Sequence, residues 1–168
     1  MAWVTDSPNW MNKRSTSLEY RFLSSMQGSL GVGADLNKWN AADFATAKTM
    51  VAQYKQLRET VQHGALYRLI SPRGGSEYSA TESVSRDGRQ AAVFAFLHSS
   101  QEGEKFPRLY LRGLDADAEY DLHVLDGKLV EGQPTHASGA YWMQHGVDVT
   151  LLGDFQGALF TLERGGGQ

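Results

Sequence analysis

The sequence predicts an α+β chain in which a helical first part, holding two helices and one short strand, precedes an antiparallel β-sandwich. Three observations carry this reading. Apolar residues recur at helical spacing only before about residue 60. From Leu66 onward the chain breaks into seven short segments separated by turns. Two Asp-Gly pairs, Asp87-Gly88 and Asp126-Gly127, follow strand-like runs and signal tight turns.

Residues 1–15, MAWVTDSPNWMNKRS, show no period and read as a loop with a turn at Pro8-Asn9. Thr16 and Glu19 stand at capping-box spacing, and Leu18, Phe22, Leu23 and Met26 fill one face of a helix that Gly28 ends. Ser29 to Ala34 reads as a short strand ending at Asp35; Gly31 and Gly33 suit it only where another group approaches the backbone. Asn40 and Asp43 open the second helix, over 41–60, with Phe44, Ala47, Tyr54 and Leu57 on one face.

The segments ALYRLI, SEYSATESV, RQAAVFAFLHSS, PRLYLRG, AEYDLHVLDG, AYWMQHGVDVTLL and GALFTLE then read as strands. Tyr120, Leu122 and Val124 alternate with Asp121, His123 and Leu125, as on a half-buried strand. Residues 165–168 read as a flexible tail, giving units at 1–62 and 63–164. Two amphipathic helices and one strand cannot cover their own apolar stripes. They pack either on the β part or within a larger domain, and the second is the preferred reading.

Composition excludes several classes. A net charge of -3 and pI near 5.9, with only Arg86 and Arg89 as a basic pair, argue against a nucleic-acid partner. The absence of cysteine removes disulfides and thiolate chemistry and fits a cytoplasmic protein. No secretory leader and no apolar run near the roughly 20 residues of a membrane span are seen.

Glycoside hydrolysis would need two facing carboxylates, about 5 Å apart for retention. Asp43 is absorbed by its helix start. Asp6 sits beside Ser7-Pro8, where an Asx turn competes with function. Asp35 ends a strand, the position that faces the active site in a β/α barrel, although capping of the next turn is the stronger reading. Gly31-x-Gly33 lacks the third glycine of a dinucleotide loop. His63, His98, His123, His136 and His145 are too scattered for a metal site, so no metal and no cofactor are expected. Trp3, Trp10, Trp39 and Tyr20 could stack on sugars, with ordinary packing as the competing account; Tyr141-Trp142-Met143 reads as core or interface.

The stretch Met1-Ala2-Trp3-Val4-Thr5-Asp6-Ser7-Pro8-Asn9, with Arg14-Ser15-Thr16 and Leu18, resembles the late-barrel segment of family 36 α-galactosidases. Gly31-Val32-Gly33-Ala34-Asp35-Leu36 resembles the final barrel strand and its exit. Val61-Gln62-His63-Gly64 with Leu66-Tyr67-Arg68-Leu69 resembles the join to the C-terminal sandwich. Val93-Phe94-Ala95-Phe96 and Leu111-Arg112-Gly113-Leu114 resemble sandwich strands. The likeness runs to about residue 162. It implies a (β/α)8 barrel remnant followed by a β-sandwich, from a retaining enzyme acting on terminal α-galactosides through two catalytic aspartates. Both aspartates lie on upstream barrel segments, and no position here matches either. Relatives commonly carry histidine where this chain has Trp3.

The resemblance therefore implies a C-terminal piece that is inactive alone and completes a barrel supplied by an upstream catalytic part. Trp3, Asp6 and Asp35 are its substrate-proximal candidates, and exposed helix faces and strand edges imply self-association. The alternatives are a stand-alone carbohydrate-binding sandwich and a structural or interaction protein.

Overall fold

A computed structural model describes residues 1–73, 75–100, 103 and 106–165. The chain begins with β1 (Ala2–Val4), α1 (Leu18–Met26), β2 (Leu30–Val32), a single 3₁₀ turn (Leu36–Lys38) and α2 (Ala41–His63). β1 and β2 pair in parallel, with α1 as the crossover between them. β1 lies in the segment read from sequence as loop. Three residues are too few for a visible alternation, and the strand exists because β2 lies alongside it.

The remaining strands are β3 (Ala65–Ile70), β4 (Tyr78–Val84), β5 (Gln90–Leu97), β6 (Glu119–Asp126), β7 (Lys128–Leu129), β8 (His136–Ser138), β9 (Val149–Thr150) and β10 (Gln156–Arg164), with α3 at Gly139–His145. Six of them form an antiparallel sheet in the order β3-β4-β5-β10-β6-β8, and β7 pairs with β9 in a second, two-stranded sheet. The fold class is thus α+β, a partial barrel unit followed by an antiparallel sandwich.

The large sheet has two apolar faces, and β5 shows how one sequence serves both. Ala91, Val93, Ala95 and Leu97 join Trp142, Val147, Val149 and Leu111 in the sandwich core. Ala92, Phe94 and Phe96 point the other way, onto Phe22, Leu23 and Met26 of α1 and Met50, Tyr54 and Leu57 of α2. The helices therefore do pack on the β part. That packing covers only their inner stripes and leaves Phe44 of α2 exposed, as is Leu36 of the 3₁₀ turn before it.

Local chemistry explains the remaining differences from sequence. Ser17, not Thr16, caps α1: its side chain accepts from the N–H of Tyr20. The capping box of α2 forms as expected, with Asn40 accepting from Asp43 N–H and Asp43 accepting from Asn40 N–H. Tyr141-Trp142-Met143 lies on a helix rather than a strand, because Ser138 caps α3 and Trp142 enters the core on its inner side. Leu109 makes a single bridge to Val147 instead of belonging to a full strand. Asp126-Gly127 redirects the chain between β6 and β7, which do not pair. Val124 continues the Tyr120–Leu122 alternation and pairs with Phe160, yet it is exposed; the register shifts just beyond it, between Phe160 and Leu159. The N–H of Gly165 donates to Glu119 at 2.9 Å; residues 166–168 of the expected tail lie outside the described residues.

Candidate functional site

Of the three candidate residues, Trp3 lies within β1, and Asp6 and Asp35 meet just past the C-terminal ends of β1 and β2. In the parallel register Trp3 stands opposite Gly31 and Val4 opposite Val32, and Gly33 N–H extends the ladder to the Val4 carbonyl at 2.9 Å. The Trp3 ring, half exposed, covers both glycines: a Cβ at Gly31 would lie 2.7 Å from Trp3 Cε3, and one at Gly33 3.3 Å. This close approach is the reason the strand carries glycine. Val4 projects to the opposite side and is fully buried with α1.

Just past the strand ends, the N–H of Asp35 donates to Asp6 Oδ1 at 3.0 Å. Lys38 Nζ lies 3.6 Å from Asp35 and 3.9 Å from Asp6. Asp35 also caps the 3₁₀ turn, its Oδ1 accepting from Asn37 N at 3.2 Å and Asn37 Nδ2 at 3.1 Å. The Asn37 backbone N–H, then its amide and Lys38, hold the Asp35 carboxyl below the ordinary carboxylate range. Such a group is a poor proton donor at neutral pH and serves as an acceptor or an anchor. Strand-end position and capping, competing readings in the sequence, describe the same residue.

Arg21 fastens the loop that carries Asp6. Its Nη1 donates to the Thr5 carbonyl and its Nε to Ser17 at 3.2 Å. Partial burial lowers the Arg21 pKa, opposed by the charges of Asp43, Asp6 and Glu19. Lys38 and Arg21 were not singled out from sequence; the Asp35-x-x-Lys38 spacing was the available signal for the first.

The aromatic candidates separate. Trp10 is exposed on the 5–17 loop, and Trp39 is half-buried with Phe44, ring centroids 5.5 Å apart. Tyr20 joins Phe96 and Phe155, and Arg14 lies 5.0 Å from the Phe155 ring. Only Trp3 stays at the strand ends. No group of three or more metal-ligating His, Asp or Glu side chains occurs among the described residues. No helix there is long and apolar enough to cross a membrane.

Beyond the other face of the large sheet, two clefts of about 420 and 220 Å³ share Arg108, Val130 and Asp148. Arg108 grips Asp148 in bidentate fashion, at 2.8 Å (Nε–Oδ1) and 2.5 Å (Nη2–Oδ2).

The profile described as "Glycosyl hydrolase family 36 C-terminal domain" matches residues 78–162, and that described as "Melibiase" matches residues 1–64. The chain is 35% identical to alpha-galactosidase AgaA of Geobacillus stearothermophilus over 124 residues, 74% of this chain and 17% of AgaA. It is 30% identical to alpha-galactosidase 2 of Hypocrea jecorina over 164 residues, 97% of this chain and 21% of that protein. The crystal structure of AgaA in complex with raffinose superposes with a TM-score of 0.86 at 30% identity, over 97% of this chain and 21% of that one. The alpha-galactosidase from Lactobacillus brevis gives a TM-score of 0.87 at 26% identity, over 99% of this chain and 22% of that one. The chain thus spans about a fifth of the length of the relatives it matches.

Proposed function

The chain belongs to glycoside hydrolase family 36, and from that premise we propose that it is the barrel-completing C-terminal part of an α-galactosidase, inactive by itself. Residues 1–62 would contribute two successive β/α units to a (β/α)8 barrel, and residues 63–164 the C-terminal sandwich. The observation that carries this reading is the order β1-α1-β2-α2 with β1 and β2 parallel. A pair of three-residue strands has little stability alone. The outer edges of both strands have no strand partner among the described residues, and neighbouring barrel strands would pair with them.

In that assembly the reaction is retaining hydrolysis of terminal α-galactosides by two aspartates from upstream segments. Trp3, Asp6 and Asp35 take substrate-proximal roles at the mouth: Trp3 through its exposed ring, the carboxylates by orienting groups rather than donating protons. Without the upstream part, exposed Met1, Trp3, Val32 and Phe44 favour self-association.

The test is to assay the chain alone on a chromogenic aryl α-galactoside, then co-expressed with the preceding part of a family 36 relative. The expected result is no turnover alone, and a co-purifying complex with turnover together. Hydrolysis by the chain alone would refute its inactivity, and failure to associate would refute barrel completion.

A further inference from the structure

We infer that the two clefts flanking the Arg108–Asp148 pair form one binding site for a neutral saccharide, on the face of the sandwich away from the strand ends. The larger cleft alone, about 420 Å³, falls within the roughly 300–1,000 Å³ usual for small-molecule sites. Its walls, Phe106, Val130, Leu151 and Leu152, are mostly apolar and suit the C–H face of a pyranose. The smaller cleft adds Glu131, Gln133, Tyr141 and His145, which suit hydroxyls.

The pair on the shared wall is fixed from several sides. The N–H of Asp148 donates to Gln133 Oε1 at 3.0 Å, and its carbonyl accepts from Val130 N–H at 3.1 Å. That leaves the Gln133 amide NH₂ as a donor beside the pair. Asp148 and Arg108 both remain partly exposed, and each keeps hydrogen-bonding capacity beyond the two bonds it spends on the other. Adjacent donors and acceptors in a fixed plane match vicinal hydroxyls. Tyr141 and His145 stack with centroids 4.6 Å apart on α3, stiffening the rim.

Charge decides the ligand class. One guanidinium against Asp148 and Glu131 leaves no surplus positive charge to hold an anion. Asp148 already spends its carboxylate on Arg108, so too few free oxygens remain for a divalent cation. A polyhydroxylated neutral ligand uses the whole set. This inference does not rest on the barrel reading.

The experiment is a ligand-observed saturation-transfer titration of the 168-residue chain with raffinose, maltotriose and inorganic phosphate; being read on the ligand, it tolerates self-association. Saturable binding of one or both saccharides and none of phosphate is expected. Arg108→Ala and Gln133→Ala should each weaken it by about tenfold or more, while Lys48→Ala, at an exposed position of α2, leaves it unchanged. Circular dichroism of each variant, matching the parent chain, excludes unfolding as the cause. Phosphate binding, no saturable response, or saccharide binding that survives both Arg108→Ala and Gln133→Ala would overturn the inference. None of these outcomes bears on complementation of an upstream part, so the two proposals fail separately.

Discussion

The backbone N–H of Asp35 donates to the carboxylate of Asp6 at 3.0 Å, joining two strand ends that lie 29 positions apart in sequence. This bond and the Arg21 contact to Thr5 fix the loop after β1. Removing the acceptor with Asp6→Ala should cost about 0.5–1.5 kcal/mol in denaturant unfolding, the usual net worth of one hydrogen bond. Asp6→Asn keeps an acceptor oxygen and loses only an exposed attraction to Lys38 at 3.9 Å, so it should fall within about 0.5 kcal/mol of the parent. Equal costs for both variants would mean that charge, not the hydrogen bond, holds the loop.

Gly31 and Trp3 make a second linked pair. A Cβ at Gly31 would stand 2.7 Å from Trp3 Cε3, so Gly31→Ala must lift the indole off the strand. The ring is half exposed and has room to move, which limits the loss to about 1 kcal/mol. The clearer readout is fluorescence, measured with Trp10 replaced by Phe in both chains. Gly31→Ala should red-shift the emission as Trp3 gains water, and an unchanged spectrum would show that the ring does not rest there.

Gly64 joins α2 to β3 under a stricter constraint. Its φ of -78° is open to any residue, so conformational freedom is not why glycine stands there. A Cβ would lie 2.2 Å from the Val84 carbonyl oxygen and 2.4 Å from that of Thr60, both backbone atoms that cannot swing aside. Gly64→Ala should therefore cost about 2 kcal/mol or more, seen as a lowered unfolding midpoint. Gly28→Ala is the control: nothing lies within 4 Å of its Cβ, and it should be close to neutral. Similar losses for the two would sink the close-packed joint.

These joints show what the sequence made legible. α2 could be read because a capping box and a long apolar face are local signals. β5 could be read because Ala91 to Leu97 is an unbroken apolar run bounded by polar residues, which suits a strand buried on both faces. Long-range causes were not legible. β1 is a strand only because β2 lies beside it, and α3 replaces a strand because Ser138 happens to cap it. At the strand ends Asp6 and Asp35 could be named from sequence, but the 29-residue hydrogen bond that unites them could not. Arg108 and Asp148, 40 positions apart, gave no local pattern at all.

Glu82 carries the sharpest prediction about pH. It is fully buried on β4, and its carboxylate accepts from the N–H groups of Arg112 at 2.7 Å and Gly113 at 3.3 Å. Burial pushes its pKa up, outweighing the lowering by those two N–H groups and by the Arg112 charge. In the unfolded chain Glu82 ionises in the ordinary carboxylate range, whereas the folded chain keeps its proton to higher pH. Between those two values the native state binds more protons, so unfolding free energy falls as pH rises; below the ordinary range both states are protonated and this contribution is complete. Glu82→Gln keeps an acceptor for the two N–H groups and cannot ionise. Its stability relative to the parent should therefore rise between about pH 4 and pH 7, while the other shifted carboxyls, Asp35, Asp87 and Asp126, cancel in the comparison. Glu82→Ala removes the acceptor of both partly buried N–H groups, at a cost of about 1–3 kcal/mol at either pH. Parallel pH profiles for the parent and Glu82→Gln, measured by urea unfolding, would show that the folded Glu82 carboxyl titrates as it does in the unfolded chain.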